Sequence, residues 1–193
     1  MKLSMITALA GTLALVLGFA APAFADIKIG ATVSETGPAS FLGDPEAKTL
    51  KMLVDALNAA GGINGEKIEF VIYDDGGDPN KARTFATRLV EDDEVVAIIG
   101  GTTTGTTMAI MPVAEDAEIP FISLAGAIEI IDPVRPYTFK TPHTDRMACA
   151  KIFEDMKKRG FTKIGMISGS DGFGASMRKQ CLAIIGDYGI EVL

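Results

Sequence analysis

Apolar residues along the chain follow two spacings, and each spacing predicts one kind of element. Short runs rich in β-branched residues predict strands, and apolar residues three or four positions apart predict amphipathic helices. The predicted strands cover residues 27–33, 68–73, 95–100 and 120–123. The predicted helices carry their apolar stripes at 50–57 and 82–89, and a third helix is expected over about 106–117. Because strands and helices alternate, we predict an α/β fold, a doubly wound sheet of parallel strands with right-handed crossovers.

Prolines mark the ends and the weak points of these helices. Asp78 is placed to cap the second helix, and Pro79 to occupy its first position, where the missing N–H is not needed. Pro112 lies inside the third helix, where a proline costs about 3 kcal/mol. We therefore expect either a kink at Pro112 or a later start of that helix.

Residues 133–143 carry three prolines and little periodicity, which is typical of a crossing between two domains. Beyond this segment the pattern predicts a helix over 148–156, a strand over 163–168, a helix over 175–186 and the beginning of a strand at 190. A doubly wound domain needs more strands than these two. We predict a first domain over 26–142 and the start of a second domain, incomplete at its end, over 143–193.

The first 25 residues have the pattern of a secretory signal peptide. Lys2 precedes an apolar run that ends near Phe19, and Ala23-Phe24-Ala25 gives the small-x-small pattern of a cleavage site. An uncleaved membrane anchor is the alternative, but the run is shorter than the ~20 residues that span a bilayer. Cleavage after Ala25 would remove Lys2 and change the net charge from −7 to −8. This acidity argues against nucleic acid as a partner.

The residue types that support catalysis are scarce in this chain. Cys149 and Cys181 have no CxxC partner, and in an oxidising compartment they either form a disulfide or remain two buried thiols. His143 is the only histidine and is expected to be a hinge residue, because no nucleophile motif accompanies it. The sequence holds none of the common nucleotide-binding or hydrolase motifs. We therefore predict a protein that is not an enzyme and that needs no metal or cofactor.

Ligands of open parallel sheets bind at the carboxyl ends of the strands, and four loops lie there. These loops cover residues 34–45, 74–78, 101–107 and 124–128. The third holds five threonines at a predicted helix N-terminus, a place that favours anions, so that Thr102, Thr103 and Thr104 are candidate ligand residues. The alternative is that one threonine caps the helix and the others are solvated. For Asp74 and Asp75 we expect solvation and a role at the start of the next helix rather than a metal site.

Several motifs, taken in order behind a signal peptide, resemble one known family. They are Thr36-Gly37-Pro38 with Gly43 beyond it, residues 58–65 (Asn-Ala-Ala-Gly-Gly-Ile-Asn-Gly), Tyr73-Asp74-Asp75 followed by Asp78-Pro79, and Asp171-Gly172-Phe173-Gly174. The mature chain resembles the type I periplasmic solute-binding proteins of the leucine/isoleucine/valine-binding group. The resemblance implies two doubly wound lobes that close on a solute, a periplasmic location and docking on the membrane permease of an ABC importer. An extracellular sensor domain of a signalling receptor with the same lobes is the alternative.

The resemblance also implies positions for the ligand-binding residues. By similarity, Thr103 and Thr104 would hold the carboxylate of an amino acid, with help from the backbone of Ala125 and Ala127. Together with Gly126 these residues form a small-residue loop whose backbone N–H groups a ligand can approach closely. Leu42 and Phe173 would lie beside the solute. Leu42 lacks the aromatic ring, Phe173 the hydroxyl and Ala127 the threonine side chain that are common in amino-acid binders of this family. The cleft is therefore expected to be apolar, which suits a branched-chain or other hydrophobic amino acid, a related amide or an aromatic carboxylate.

Overall fold

The structure, a computed structural model, describes residues 26–193, and the predicted signal peptide over residues 1–25 lies outside the described residues. Five parallel strands form the main sheet. They are β1 (Ile27–Val33), β2 (Ile68–Asp74), β3 (Ala97–Gly100), β4 (Phe121–Ser123) and β5 (Thr138–Lys140). The predicted doubly wound α/β class is confirmed.

The spatial order of the strands is β2-β1-β3-β4-β5, so the chain changes direction across the sheet between β1 and β3. In register, Ile29 of β1 lies opposite Ala97 of β3, and Thr32 lies opposite Gly100. From β1 the chain continues to β2 on one side, and from β3 it continues to β4 on the other side. The loops after β1 and β3 therefore lead in opposite directions from the carboxyl edge of the sheet. Such a switch point is where open α/β sheets leave a crevice for a ligand.

The segment that we predicted as a domain crossing contributes the fifth strand. Thr138–Lys140 pairs in parallel with β4, and the backbone N–H of Phe121 donates to the carbonyl oxygen of Tyr137. Glu115, near the end of the third helix, accepts from the Tyr137 N–H and from the Thr138 hydroxyl at 3.2 and 2.6 Å. The predicted boundary at 142/143 falls after β5, and as a domain boundary it stays a prediction.

The first helix, α1 (Ser40–Ala59), begins earlier than expected and contains Pro45. The predicted loop over 34–45 therefore ends at Ala39, and Leu42 lies in the first helical turn rather than in a loop. A Cβ at Gly43 would overlap the carbonyl oxygen of Ser34, so a glycine is needed where α1 crosses the end of β1. The apolar stripe of α1 is also less buried than predicted, since Leu53 and Leu57 remain about half exposed.

The helices on the other face are α2 (Pro79–Glu91) and α3 (Thr104–Asp116), which pack on each other and on the sheet. Their buried side chains form the main core with Ile98 of β3 and Phe121 of β4. The third helix runs through Pro112 and starts at Thr104, so the predicted late start is wrong. The reason lies at its N-terminus, where Thr103 and Thr106 form a reciprocal capping box that fixes the first turn.

The second part of the chain consists of α4 (Asp145–Lys158), β6 (Lys163–Ile164), α5 (Gly172–Ile184) and β7 (Glu191–Val192). The strands β6 and β7 pair in parallel, and β6 is shorter than the predicted strand over 163–168. The open question about the cysteines is answered, because Cys149 of α4 and Cys181 of α5 form a disulfide with their Cα atoms 5.1 Å apart. Within residues 26–193, no helix is both long enough and apolar enough to cross a membrane.

The cap of α2 gives a first test of the local structure. Asp78 accepts from the backbone N–H groups of Asn80 and Lys81, and Pro79 holds the first helical position, as predicted. Replacing Asp78 with Ala is expected to lower the free energy of unfolding by about 1 kcal/mol, because two N–H groups lose their acceptor. Urea denaturation measures this change. Asp78→Ser, which keeps a side-chain oxygen, should stay close to the parent, and an equal loss in both variants would contradict the capping role.

Candidate functional site

Hydrogen bonds join the diverging loops at the switch point. The backbone N–H of Ser34, after β1, donates to the hydroxyl oxygen of Thr102, after β3, at 3.0 Å. The Thr102 hydroxyl in turn donates to Glu46 of α1 at 2.6 Å. Burial and the nearby charge of Asp75 raise the pKa of Glu46, although the bond from Thr102 opposes them. The side chain of Thr102 therefore braces the loops, with its hydroxyl in one hydrogen bond on each side.

Asp75 is the second brace, and the prediction that it is solvated is wrong. Its side chain is fully buried and accepts from the hydroxyls of Thr32 and Ser34, at 3.0 and 2.7 Å, and from the N–H of Gly77 at 2.8 Å. Its neighbour Asp74 is partly exposed and accepts from Thr36 and Gly76. Burial acts to raise the pKa of Asp74, but these hydrogen bonds outweigh it and lower the pKa. Both aspartates hold loop backbone in place.

The threonines of the loop were expected either to bind a ligand or to leave one residue as the helix cap and the others solvated. The structure gives the capping role to one residue. Thr103 is the N-cap of α3 and accepts from the N–H of Thr106 at 3.2 Å. Thr107 donates to the carbonyl of Gly101 at 2.7 Å and is 2.8 Å from the hydroxyl of Ser123. The loop is mostly buried rather than solvated. Among the described residues, the hydroxyl of Thr104 is the buried side-chain polar atom that lacks a hydrogen-bond partner.

The first turn of α5 lies against the first turn of α3. A Cβ built on Gly172 would lie 3.4 Å from the backbone nitrogen of Gly105 and 3.6 Å from Cγ2 of Thr104. The ring of Phe173, next along α5, approaches the loop after β4, and a Cβ on Gly126 would lie 3.3 Å from its Cε2 atom. Two helix N-termini thus meet above the carboxyl edge of the main sheet, and each carries a partial positive charge.

A cavity of about 280 Å³ lies beside this meeting point. Its lining combines the candidate residues Thr104 and Ala127 with side chains from α3, α5 and the turn after β4. The full lining is Thr104, Met108, Ala127, Glu129, Gly172, Ala175, Ser176 and Lys179. The candidates Leu42, Thr102, Thr103, Ala125, Gly126 and Phe173 are outside that lining, although Gly126 and Phe173 contact each other next to it. The structure therefore brings together part of the predicted set.

The loop after β4 offers less free backbone than expected. The N–H of Ala125 donates to the hydroxyl of Ser123 at 3.1 Å, and the carbonyl of Gly126 accepts from Lys140 at 2.8 Å and from the N–H of Asp145 at 3.0 Å. Burial lowers the pKa of Lys140, although the charge of Asp145 opposes that shift. The loop after β4 is therefore held in place by hydrogen bonds within the chain.

A search against known families gives a match over all the described residues. The model described as "Periplasmic binding protein" matches residues 26–193. The chain belongs to the periplasmic binding protein family. This is a family of binding proteins, not of enzymes, so the expectation that the chain is not an enzyme is confirmed.

Several named or solved periplasmic binding proteins are similar to most of this chain. The Leu/Ile/Val-binding protein homolog 7 of Brucella melitensis is 31% identical over an alignment 192 residues long, which covers 94% of this chain and 48% of that protein. The branched-chain amino acid transporter substrate-binding protein LivJ of Streptococcus pneumoniae, solved with isoleucine, is 27% identical with a TM-score of 0.79 over 88% of this chain and 48% of that one. A solute-binding protein of an ABC transporter from Rhodopseudomonas palustris, solved with 3,4-dihydroxybenzoic acid, is 25% identical with a TM-score of 0.78 over 87% and 46%.

The chain thus spans about half the length of the periplasmic binding proteins that it matches. Their sequences and folds confirm the predicted resemblance and fold class. The ligands of these two solved relatives are isoleucine and 3,4-dihydroxybenzoic acid. One is aliphatic and the other aromatic, but both contain a carboxyl group.

Sequence reasoning missed three polar residues of the cavity: Glu129, Ser176 and Lys179. Glu129 follows the predicted loop over 124–128 by one residue, so a slightly longer loop would have included it. Ser176 lies in the second turn of α5 and Lys179 in the third. Nothing in the sequence indicates that these two side chains face the turn after β4. Their position depends on how α5 packs against the turn after β4.

Proposed function

We propose that the chain captures a small solute for an ABC importer, in a cleft between the loops of the main sheet and the first turn of α5. The solute class is an amino acid of the branched-chain type or a related carboxylate or amide. The observation that carries this proposal is the unpartnered hydroxyl of Thr104, whose residue is only 5% exposed and which lines the cavity beside two helix N-termini. A buried hydroxyl without a partner costs about 1 to 3 kcal/mol, and a ligand oxygen would remove that cost.

The charge of the site supports an anionic group at this point. The first N–H groups of α3 have no acceptor within the helix, and those of α5 lie close by at Gly172. Each helix terminus is equivalent to roughly half a positive charge. The carboxylate of the solute would therefore lie at Thr104 and Gly105, with Thr103 holding the start of the helix in place.

The remaining candidates would surround the body of the solute. Phe173 and Leu42 are both 44% exposed, which leaves apolar surface free to contact a ligand. Ala127 and Met108 give the cavity an apolar wall. Gly126 leaves room for the ring of Phe173, because a side chain there would displace the ring. An aliphatic or aromatic body fits such walls better than a charged one.

The wider role follows from the same proposal. Residues 26–142 would form the first lobe and residues 143–193 the beginning of the second, with the solute between them. Residues 1–25 would direct the chain to the periplasm and be removed after Ala25, and the closed form would dock on the permease of the importer. Capture would stabilise the closed arrangement, because the solute contacts both sides of the cleft.

The test is a binding measurement on the whole gene product with the parent residue and with Thr104→Val. Isothermal titration calorimetry with isoleucine, leucine, an aliphatic amide and 3,4-dihydroxybenzoate identifies the solute class. For the ligand that binds the parent, Thr104→Val should weaken binding by about tenfold to a hundredfold, because a hydrogen bond to a charged group is lost.

The matched control is Thr84→Val, the same chemical change at an exposed position of α2. It should leave the dissociation constant unchanged. An unchanged dissociation constant in Thr104→Val, or a parent that binds none of the four probes, would contradict the proposed site.

A further inference from the structure

The cavity beside Thr104 has one acidic and one basic side chain among the described residues that line it. Glu129 lies in the 3₁₀ turn Ile128–Ile130 that follows β4, and Lys179 lies in the third turn of α5. The cavity volume of about 280 Å³ is near the lower end of the usual range of small-molecule sites, about 300 to 1,000 Å³. A solute of amino-acid size that fills this cavity would therefore come close to Glu129 as well as to Thr104.

The contacts of Glu129 keep its side chain ionised. Its Oε1 atom accepts from Lys179 at 2.9 Å and from Gln180 at 3.3 Å, and its Oε2 atom accepts from the hydroxyl of Ser176 at 2.6 Å. Burial acts to raise the pKa of Glu129, but hydrogen bonds from Ser176 and Lys179 outweigh it and lower the pKa to about 2. The wall of the cavity at Glu129 therefore has a full negative charge at neutral pH.

The carboxylate of Glu129 has room for one more donor. An ionised carboxylate has about four acceptor positions, two on each oxygen. Lys179 and Gln180 occupy the positions on Oε1, whereas Ser176 is the one donor to Oε2 within the described chain. The side chain of Glu129 is 31% exposed, so a ligand can approach the remaining position on Oε2.

The ion pair with Lys179 does not exclude a second cation from Glu129. The side chain of Lys179 is 70% exposed, and an ion pair at such a position contributes little stability, because water and salt screen it. The ammonium of Lys179 can remain on Oε1 of Glu129, or it can move into water, when a cationic group of a ligand reaches Oε2.

The cavity thus offers charges of opposite sign to a solute. The first turns of α3 and α5 meet at Gly105 and Gly172, which places partial positive charge beside the unpartnered hydroxyl of Thr104. Glu129 supplies the negative charge. An α-amino acid matches this pair, because its carboxylate and its ammonium are attached to the same carbon atom. A carboxylate without an ammonium matches only the positive end.

We propose that Glu129 is a specificity residue that accepts the ammonium group of an α-amino acid whose carboxylate lies at Thr104. This inference rests on the proposed function and narrows its solute class to α-amino acids. The apolar wall of Ala127 and Met108 then contacts the side chain of the amino acid. A solute with the same body but no ammonium binds less tightly, because it takes water away from Glu129 without giving the carboxylate a new donor.

The experiment is isothermal titration calorimetry on the whole gene product with ligand pairs that differ only in the amino group. The pairs are isoleucine with 3-methylpentanoate and leucine with 4-methylpentanoate. The parent should bind the amino acid of a pair about tenfold or more tightly than its partner. Glu129→Gln, which keeps the shape but loses the charge, should weaken binding of the amino acid by about tenfold to a hundredfold and binding of its partner by less than about threefold. Glu91→Gln, the same change at an exposed position of α2, is the matched control and should alter neither affinity.

The ligand pairs separate a contact with the ammonium from a merely structural role of Glu129. If Glu129→Gln weakened both members of a pair equally, or neither, the inference would be overturned. The comparison in the parent does not depend on how the variant folds. A parent that binds both members of a pair equally, or that binds 3,4-dihydroxybenzoate or an aliphatic amide but neither amino acid, would overturn the inference and leave the proposed capture of a small solute standing. A parent that binds none of these ligands would contradict the proposed function, and the inference with it.

Discussion

Removal of the disulfide between Cys149 and Cys181 is expected to lower the free energy of unfolding of the second part of the chain by about 4 kcal/mol. The bond closes a loop with a sequence separation of 32 residues, and the entropy that such a loop removes from the unfolded chain gives this magnitude. The disulfide lies in the middle of a small core, because the sheet of this part has two short strands and its buried apolar residues besides the cysteines are Phe153, Ile185 and Ile190. Urea denaturation followed by circular dichroism, with and without a reducing agent, measures the loss.

The double variant Cys149→Ala/Cys181→Ala is the matched control for this experiment. It should have the stability of the reduced parent, and a reducing agent should not change it further. If the reduced parent lost less than about 1 kcal/mol, the helices α4 and α5 would be held by packing alone, and the role assigned to the disulfide would be wrong.

Asp75→Ala is expected to destabilise the main sheet by about 3 to 5 kcal/mol. The substitution removes the acceptor of three hydrogen bonds, from Thr32, Ser34 and Gly77, and leaves the hydroxyls of Thr32 and Ser34 without this acceptor in a fully buried site. Because Ser34 also donates to Thr102, the loops after β1 and β3 should loosen together, and binding of any solute at Thr104 should weaken. Thermal unfolding and urea denaturation measure the loss of stability.

Asp75→Asn is the matched control, because it keeps the shape of the side chain. Its oxygen can still accept from Ser34 and Gly77, and its amide nitrogen can donate to the hydroxyl of Thr32, so we expect a loss of only about 1 kcal/mol. An Asp75→Ala variant as stable as Asp75→Asn would show that the three donors find other partners, and would contradict the bracing role.

The sequence was enough to predict the elements of the fold that depend on local pattern. The four main strands, the cap at Asp78 and the helices that follow β2 and β3 depend on β-branched runs, helical spacing and capping residues, all of which act within a few positions. The fifth strand was missed because Thr138–Lys140 is short and lies among prolines. It is ordered by Glu115, whose contact with Tyr137 and Thr138 is visible only in three dimensions.

The candidate site was predicted in outline but not in detail. The rule that ligands lie at the carboxyl ends of strands led to the threonine loop, and in the structure the buried hydroxyl of Thr104 has no hydrogen-bond partner there. The rule could not tell that Thr102 and Thr103 are committed to Glu46 and to the helix cap. The contact between Glu129 and Ser176 could not be predicted for the same reason, because it depends on the packing of α5 rather than on any spacing along the chain.

The bracing of the threonine loop has a consequence for the thermodynamics of recognition. The hydroxyls of Thr102, Thr103 and Thr107 are already held by hydrogen bonds within the chain, while the hydroxyl of Thr104 has no partner there. A solute that reaches this loop meets a preorganised receptor, and little conformational entropy of the loop is lost on association. Differences in affinity among solutes should then arise from how well each one matches a rigid donor array, so selectivity is built into the loop before the solute arrives.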